Sequence, residues 1–354
     1  LRVLSAGALA ALVPPSLRAA TPAKVRYILS IPTLSVAVAN QTSIPRQLGY
    51  YDEESVSVEP VLAGAAGITG AVQLVAKGDQ DIGSGSYTPV LSRAAAGQDM
   101  GVSFFYQQIR MYPTEVAVLV SHPARSIADL KGKLVGVPTL ANEGVAMIQF
   151  AARELGLNPA SDIRLIAVGA GSQAGQALRS GQVEAYVAPR SQITQLESLG
   201  ITLRSLPGSP RFKDLFGASL FARRDYLKKN RKVVVGVGRA IAKSTVFLIN
   251  NPEAAIRLHW KTHPEQVPQG IPPEKALSDA LRVMRAQIET LVFQDNDGSK
   301  RWGYFRPQSV ASVLDVFGWG AVQNPSDYFT NDLIDDINAF DAAKIAAQAK
   351  AYKV

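Results

Sequence analysis

The sequence predicts an α/β protein of two lobes, each a mainly parallel sheet flanked by helices. Three observations carry that prediction. Strand-like and helix-like segments alternate from Lys24 to about Leu199, the rhythm that threads parallel strands through crossover helices. The chain's 354 residues are more than one small core organises and suit two bodies of roughly 100–200 residues each. A helix-glycine-acid-strand junction occurs twice, with Gly78 and Asp81 in the first copy and Gly181 and Glu184 in the second. A glycine just past a helix can take the left-handed conformation that ends it, so each copy reads as a junction in a separate sheet.

In chain order, Val25–Ser30 reads as a strand, 35–48 as helical with a break at Pro45, and Val56–Leu62 as a second strand. Gly67–Lys77 has helical periodicity, Asp81–Gly83 is extended, Pro89–Ala96 helical and Gly101–Gln107 extended. The same alternation returns in Leu134–Val137, Asn142–Leu155, Ile163–Val168, Gln173–Ser180, Ala185–Val187 and Ile193–Leu199. Strand periods near two and helix periods near 3.6 underlie these assignments. After Ser219–Ala222 the chain turns helix-rich, with helices expected at Val233–Asn250, Pro252–Lys261, Glu274–Leu291, Pro307–Phe317 and Asp332–Ala339. That tail is expected to cover and brace the first lobe. The domain reading is therefore 24–110 for the first part of lobe 1, 111–215 for lobe 2, and 216–354 for the return to lobe 1 with a helical C-terminal part.

Residues 1–23 stand apart. Val3–Leu17 is an uncharged, Ala/Leu-rich stretch between Arg2 and Arg18, followed by small residues. It reads as an export signal or, if retained, as a packed N-terminal segment. It is shorter than the ~20 residues a bilayer span needs, and no transmembrane helix is expected.

Composition narrows the chemistry. With no cysteine, disulfides, thiol nucleophiles and cysteine metal sites are excluded. The net charge of +8 suits an anionic partner. Aromatic content of 7% and the absence of a recognisable binding module argue against nucleic acid, which is not expected as a partner. The dense basic run at Arg223, Arg224, Lys228, Lys229, Arg231 and Lys232 reads as a solvated helix start, with partner docking the alternative.

Gly169-Ala-Gly171-Ser-Gln-Ala174 fits a dinucleotide fingerprint, but the acid that should follow about 20 residues later is missing, since Glu184 comes too soon. His259 and His263 have i, i+4 spacing, yet Pro264 disfavours helical geometry at His263, and a surface or helix-end role is expected for the pair. His122 reads as a turn residue. Ser84 and Ser86 could present a nucleophile at a strand end, but no histidine sits in a context that would serve them. No catalytic residue, metal site or cofactor is expected; an enzyme on the same scaffold, acting on a pyrimidine or an organic acid, is the alternative.

What recurs is a small polar cluster where a strand hands over to a helix: Thr33-Leu34-Ser35, Ser84-Gly85-Ser86, Thr139 with Asn142, and Gly171-Ser172. In α/β sheets such loops converge on one crevice, where ligands bind. Helix N-capping is the competing explanation for any one of them.

Four strings, 43–54, 77–83, 126–137 and 178–185, with Asp129-Leu-Lys-Gly-Lys133 followed by Gly136-Val137 the most telling, resemble the periplasmic substrate-binding proteins of ABC importers. The resemblance, to the nitrate/sulfonate/taurine and thiamine-pyrimidine-precursor group, covers about Val25 to Leu206. It implies a two-lobe Venus-flytrap (type II periplasmic binding protein-like) fold and an exported, extracytoplasmic monomer. It also implies a function: capture of a small molecule for delivery to an ABC permease. Carried onto this chain, the family's ligand loops fall on Thr33–Ser35, Gly64–Ala65, Ser84–Tyr87, Thr139–Asn142, Gly171–Ser172 and the segment after Val187. At the last, where many relatives carry an aromatic, this chain has Ala188-Pro189-Arg190. Arg190 then either pairs with a carboxylate or sulfonate or stands as an exposed helix-start arginine. Near the first crossover, Gln107 and Gln108 offer amide contacts, and Arg110 offers either a cation for a ligand or an exposed linker side chain. Together these residues lead to the expectation of an anionic organic ligand. Tyr87 and Tyr186 line the cleft or fill the core, and Glu143 is assigned to its helix dipole.

Overall fold

The computed structural model describes residues 21–295 and 299–353, and the export-signal-like stretch 1–20 lies outside the described residues. In chain order the strands are β1 (Ala23–Leu29), β2 (Val56–Leu62), β3 (Ile82–Gly85), β4 (Val102–Gln107) and β5 (Thr114–Leu119). They are followed by β6 (Leu134–Val137), β7 (Arg164–Ala167), β8 (Ala185–Pro189), β9 (Leu203–Ser205) and β10 (Ser219–Arg223). They form two five-stranded sheets, one ordered β2-β1-β3-β10-β4 and the other β7-β6-β8-β5-β9. The chain passes from the first sheet to the second between β4 and β5 and returns between β9 and β10.

Both sheets are mixed. In the first, β1 runs parallel to β2 and β3, placing Tyr27 opposite Pro60 and Ile82, while β10 is antiparallel to β3 and β4. In the second, β6 is parallel to β7 and β8, while β5 is antiparallel to β8 and β9. The sequence predicts mainly parallel sheets, and the difference has a simple origin. β5 and β10 are the first strands after each crossover, so they enter their sheets from the cleft end and run away from it.

Strand periodicity sorts the core. In β1, Tyr27 and Leu29 face one side, with Ile241 and Phe247 of the Arg231–Asn250 helix in that cluster; Ile28 faces the other, with Phe104, Phe221 and Phe305. In the second lobe Val116, Val118, Val135 and Val137 pack with Ile148 and Ala151, and Ala117, Tyr186 and Ala188 with Leu178 and Ile193. The Arg231–Asn250 helix is long and apolar enough to cross a bilayer, but most of its apolar stretch is buried inside the first lobe. Gly78 (φ +87°) and Gly181 (φ +71°) adopt the left-handed conformation after the Gly67–Lys77 and Ser172–Arg179 helices, as their repeated junction predicts.

Among the regular elements that escape the sequence pattern are β5, the three-residue β9, and the Ala342–Ala351 helix. The tail also does more than brace the first lobe. Phe247 and Tyr352 pack edge to face at 5.5 Å within lobe 1, but the Pro273–Leu291 helix lies against the Arg190–Ser198 helix of lobe 2, with Arg282 Nη2 3.5 Å from Glu197 Oε2.

Candidate functional site

The loops at the carboxyl ends of β1, β3, β6 and β8 converge, together with both crossovers, on a cavity of about 140 Å³ between the lobes. From lobe 1 it receives Ser30, Thr33, Ser35 and Gln41 after β1, and Ser84, Gly85 and Ser86 from the end of β3. From lobe 2 come Thr139, Asn142 and Glu143 after β6, and Ser191 and Gln192 after β8. Gln108 contributes from the first crossover, Ala218 from the second, and Gln287 from the Pro273–Leu291 helix.

Local structure fixes these groups. Ser84 Oγ donates to Gln108 Oε1 at 3.2 Å, and Tyr27 OH donates to Gln41 Oε1 at 2.5 Å. Either hydroxyl of Ser86 and Thr88 can be the donor across 2.9 Å at the start of the Thr88–Ala95 helix. Asn142 caps the Glu143–Glu154 helix by accepting from Gly144 N–H at 2.8 Å, so the capping explanation holds for it even though it lines the cavity. Gly85 is required by space: a Cβ there would lie 2.3 Å from Ile68 Cδ1 and from Ser30 Oγ.

Glu143 is the one ionisable residue among the described lining residues. Its side chain is buried, Oε1 accepts from Thr114 Oγ1 at 3.3 Å, and Oε2 has no hydrogen-bond partner among the described residues. Desolvation raises its pKa above the ordinary carboxylate value, against smaller opposing contributions from the Ser86 and Thr114 hydroxyls. A helix-dipole role alone does not account for a carboxyl taken out of water.

The remaining sequence-selected residues lie elsewhere. Leu34 packs against the lobe 1 core, Gly64 and Ala65 sit at the surface side of their loop, and Gly171 and Ser172 open a lobe 2 helix outside the cavity. Tyr87 is a core residue whose OH donates to Phe216 O at 2.9 Å, and Tyr186 OH donates to Gly169 O at 2.9 Å. Gln107 is buried on β4 away from the cavity. Arg110 turns from the cleft and lies over the Phe293 ring at 4.5 Å, donating to Arg301 O. Arg190 has Glu115 Oε2 3.4 Å from its Nη1. Both arginines are thus drawn to partners inside the chain, a competition that local sequence does not display.

Sequence reasoning missed Ser30, Gln41, Ser191, Gln192 and Gln287, and assigned Glu143 to its helix alone. For Glu143 the signal was available, because it adjoins Asn142 in a loop already selected; Gln287 reaches the cavity from a helix far along the chain and left no local trace.

The histidines do not serve the site. His259 and His263 sit at the C-terminal end of the Pro252–Thr262 helix, the helix-end alternative, but His259 is fully buried rather than at the surface, with Nδ1 3.1 Å from Ser43 Oγ. The buried position follows from the packing of the Pro252–Thr262 helix, in which Ile256 and Leu258 join the lobe 1 core. His122 Nε2 lies 2.8 Å from Glu184 Oε2, which occupies the acid considered for a dinucleotide ribose. In the basic run, Arg223 and Lys229 pair with Asp225, Arg224 with Asp99 and Arg231 with Asp336, so much of its charge is compensated locally.

Comparison with known proteins gives a consistent picture. A family model described as NMT1/THI5 like matches residues 43–255, more than half of the chain. A solved structure from Bordetella bronchiseptica RB50 is similar at 22% identity over 90% of this chain and 98% of that one, with a TM-score of 0.70. The alkanesulfonate-binding protein SsuA from Xanthomonas axonopodis pv. citri, bound to MOPS, is 17% identical over 87% of this chain and 96% of its own, with a TM-score of 0.62. The periplasmic nitrate-binding protein NrtA from Synechocystis PCC 6803 is 13% identical over 94% and 99%, with a TM-score of 0.58. No curated protein matches. These likenesses establish the two-lobe periplasmic binding protein fold.

Proposed function

The chain belongs to the NMT1/THI5-like family, and from that premise we propose that it is an extracytoplasmic solute-binding protein that captures a small organic molecule between its lobes and delivers it to an ABC permease. One observation carries the reading: polar loops from both sheets, including Ser35, Ser86 and Thr139, meet at a single interlobe cavity. A solute that touches both walls favours the closed arrangement over the open one, because contacts made only on closure shift the population.

The wall chemistry suits this task. The described lining residues include no lysine or arginine, so the anionic portion of a solute would be held by hydroxyls, amides and the N-terminal ends of the Thr88–Ala95 and Arg190–Ser198 helices. Each helix end supplies about 0.3–1 kcal/mol, whereas micromolar binding needs roughly 8 kcal/mol. Most of the affinity must come from desolvated hydrogen bonds and fit. An enzyme on this scaffold gains no support from the site, since Ser84 is tied to Gln108 and none of the three histidines lines the cavity.

The test is a thermal-shift screen over sulfonates, carboxylates, nitrate and pyrimidines, followed by mass spectrometry of each stabilising compound after incubation. The proposal expects one chemical class to raise the melting temperature and to be recovered unchanged. Conversion of that compound, abolished by Ser84→Ala, would replace the binding reading with an enzymatic one.

A further inference from the structure

We propose that Glu143 recognises a hydrogen-bond-donating nitrogen of the solute, an ammonium, amidinium or amino group, so that the molecule selected by this cavity carries N–H. The inference rests on the solute-binding reading above and adds to it a specificity-determining residue and a ligand feature.

Three observations carry it. Glu143 is about nine-tenths buried and lines the cavity, at the start of the twelve-residue Glu143–Glu154 helix. One carboxylate oxygen is engaged by Thr114, while the other, Oε2, is buried without a hydrogen-bond partner among the described residues. No lysine, arginine or histidine accompanies it among the described lining residues. A carboxylate at the first helical position already gains a dipole interaction while exposed to solvent, so that role does not require burial. Burial adds a desolvation penalty and leaves acceptor capacity unused, and a buried acceptor without a donor is costly until one arrives.

Chemistry then limits what can satisfy it. An ionised carboxylate accepts hydrogen bonds and donates none. A sulfonate, nitrate or carboxylate oxygen placed against Oε2 would add repulsion, whereas a nitrogen bearing hydrogen would complete the pair with a charge-assisted bond. Anionic atoms of the same solute are better placed near the Ser191 hydroxyl at the start of the Arg190–Ser198 helix. Desolvation also raises the Glu143 pKa, as expected for a carboxyl whose balancing partner comes from outside the chain.

The experiment measures calorimetric binding of matched pairs differing by one amino group: 2-aminoethanesulfonate and ethanesulfonate, β-alanine and propionate, 4-aminopyrimidine and pyrimidine. Wild type, Glu143→Gln and Glu143→Leu are compared. The expected result is a preference of about tenfold to a hundredfold for the amino member of a binding pair in wild type, reduced in Glu143→Gln and absent in Glu143→Leu. Glu143→Gln is nearly isosteric and guards against a folding defect. Equal binding of both members to wild type, or a preference that survives in Glu143→Leu, overturns the assignment while leaving solute binding intact. If no member of any pair binds and scattering shows no compaction with any of them, solute binding itself fails and takes this inference with it.

Discussion

A Cβ on Gly67 would lie 3.0 Å from Thr139 Oγ1 and 3.2 Å from Ala141 Cβ, so at this point a lobe 1 helix start touches a lobe 2 loop that lines the cavity only because the residue is glycine. Its backbone, at φ +53° and ψ −147°, is also one that residues with side chains rarely adopt. Gly67→Ala should therefore cost about 1–3 kcal/mol of stability through backbone strain, and it should weaken solute binding further by holding the lobes apart. Denaturant titration and calorimetry on the same samples separate the two effects; affinity unchanged after Gly67→Ala would show that this contact does not govern closure.

The hydroxyls facing the cavity should matter one at a time. Ser86→Ala and Thr139→Val each remove a hydrogen-bonding group from the wall, at about 0.5–1.5 kcal/mol of binding. Ser172→Ala and Arg190→Ala, which alter residues outside it, should leave affinity within about twofold of wild type. Calorimetric titration of the four variants with any stabilising solute reads the contrast, and equal losses in all four would argue against this cavity.

Glu143 should make the unliganded protein less stable as pH rises. Burial raises its pKa in the folded state above the ordinary value near 4.5, so the native chain holds this proton where the unfolded chain has lost it. Its favourable contribution is then full below the unfolded value and lost as pH rises through the folded one. Glu143→Gln should consequently be more stable than wild type at neutral pH, with the gap closing toward pH 4. Melting temperatures across that range test the sign; a gap that widens on acidification would contradict it.

His259 works in the opposite sense. Burial, with a smaller contribution from His263, pushes its pKa down to about 3, whereas the unfolded imidazole protonates near the usual 6.5. Stability present above the unfolded value is lost as pH falls from about 6.5 toward 3, at up to about 1.4 kcal/mol per pH unit. His259→Asn should flatten that acid limb in pH-dependent denaturant melts, and an unchanged slope would place the acid sensitivity elsewhere.

The sequence shows the fold more clearly than the site. Val56–Leu62, Gly67–Lys77 and Leu134–Val137 are bounded in the structure as their periodicity predicts, because local pattern and tertiary burial demand the same thing there. β9 was hidden because a three-residue strand carries little pattern of its own, and β5 because its continuous apolar run Val116–Leu119 lacks the alternation that marks a strand. At the site, Ser35, Ser86 and Thr139 were legible because strand-end loops converge by topology. The arginines were not, since whether a cation faces a cleft depends on distant partners: Phe293 and Arg301 for Arg110, and Glu115 for Arg190. Glu143 illustrates the reverse, a residue whose position fits a routine helical role and whose burial does not.

The most direct test uses the absence of cysteine. Cysteines introduced at exposed Lys77 and Lys131, one on each lobe, allow spin labels to report the distance between the lobes without background. Addition of a solute that raises the melting temperature should narrow the distance distribution and shift it to shorter values. A distribution that stays unchanged while that solute is bound would contradict capture by closure of the two lobes.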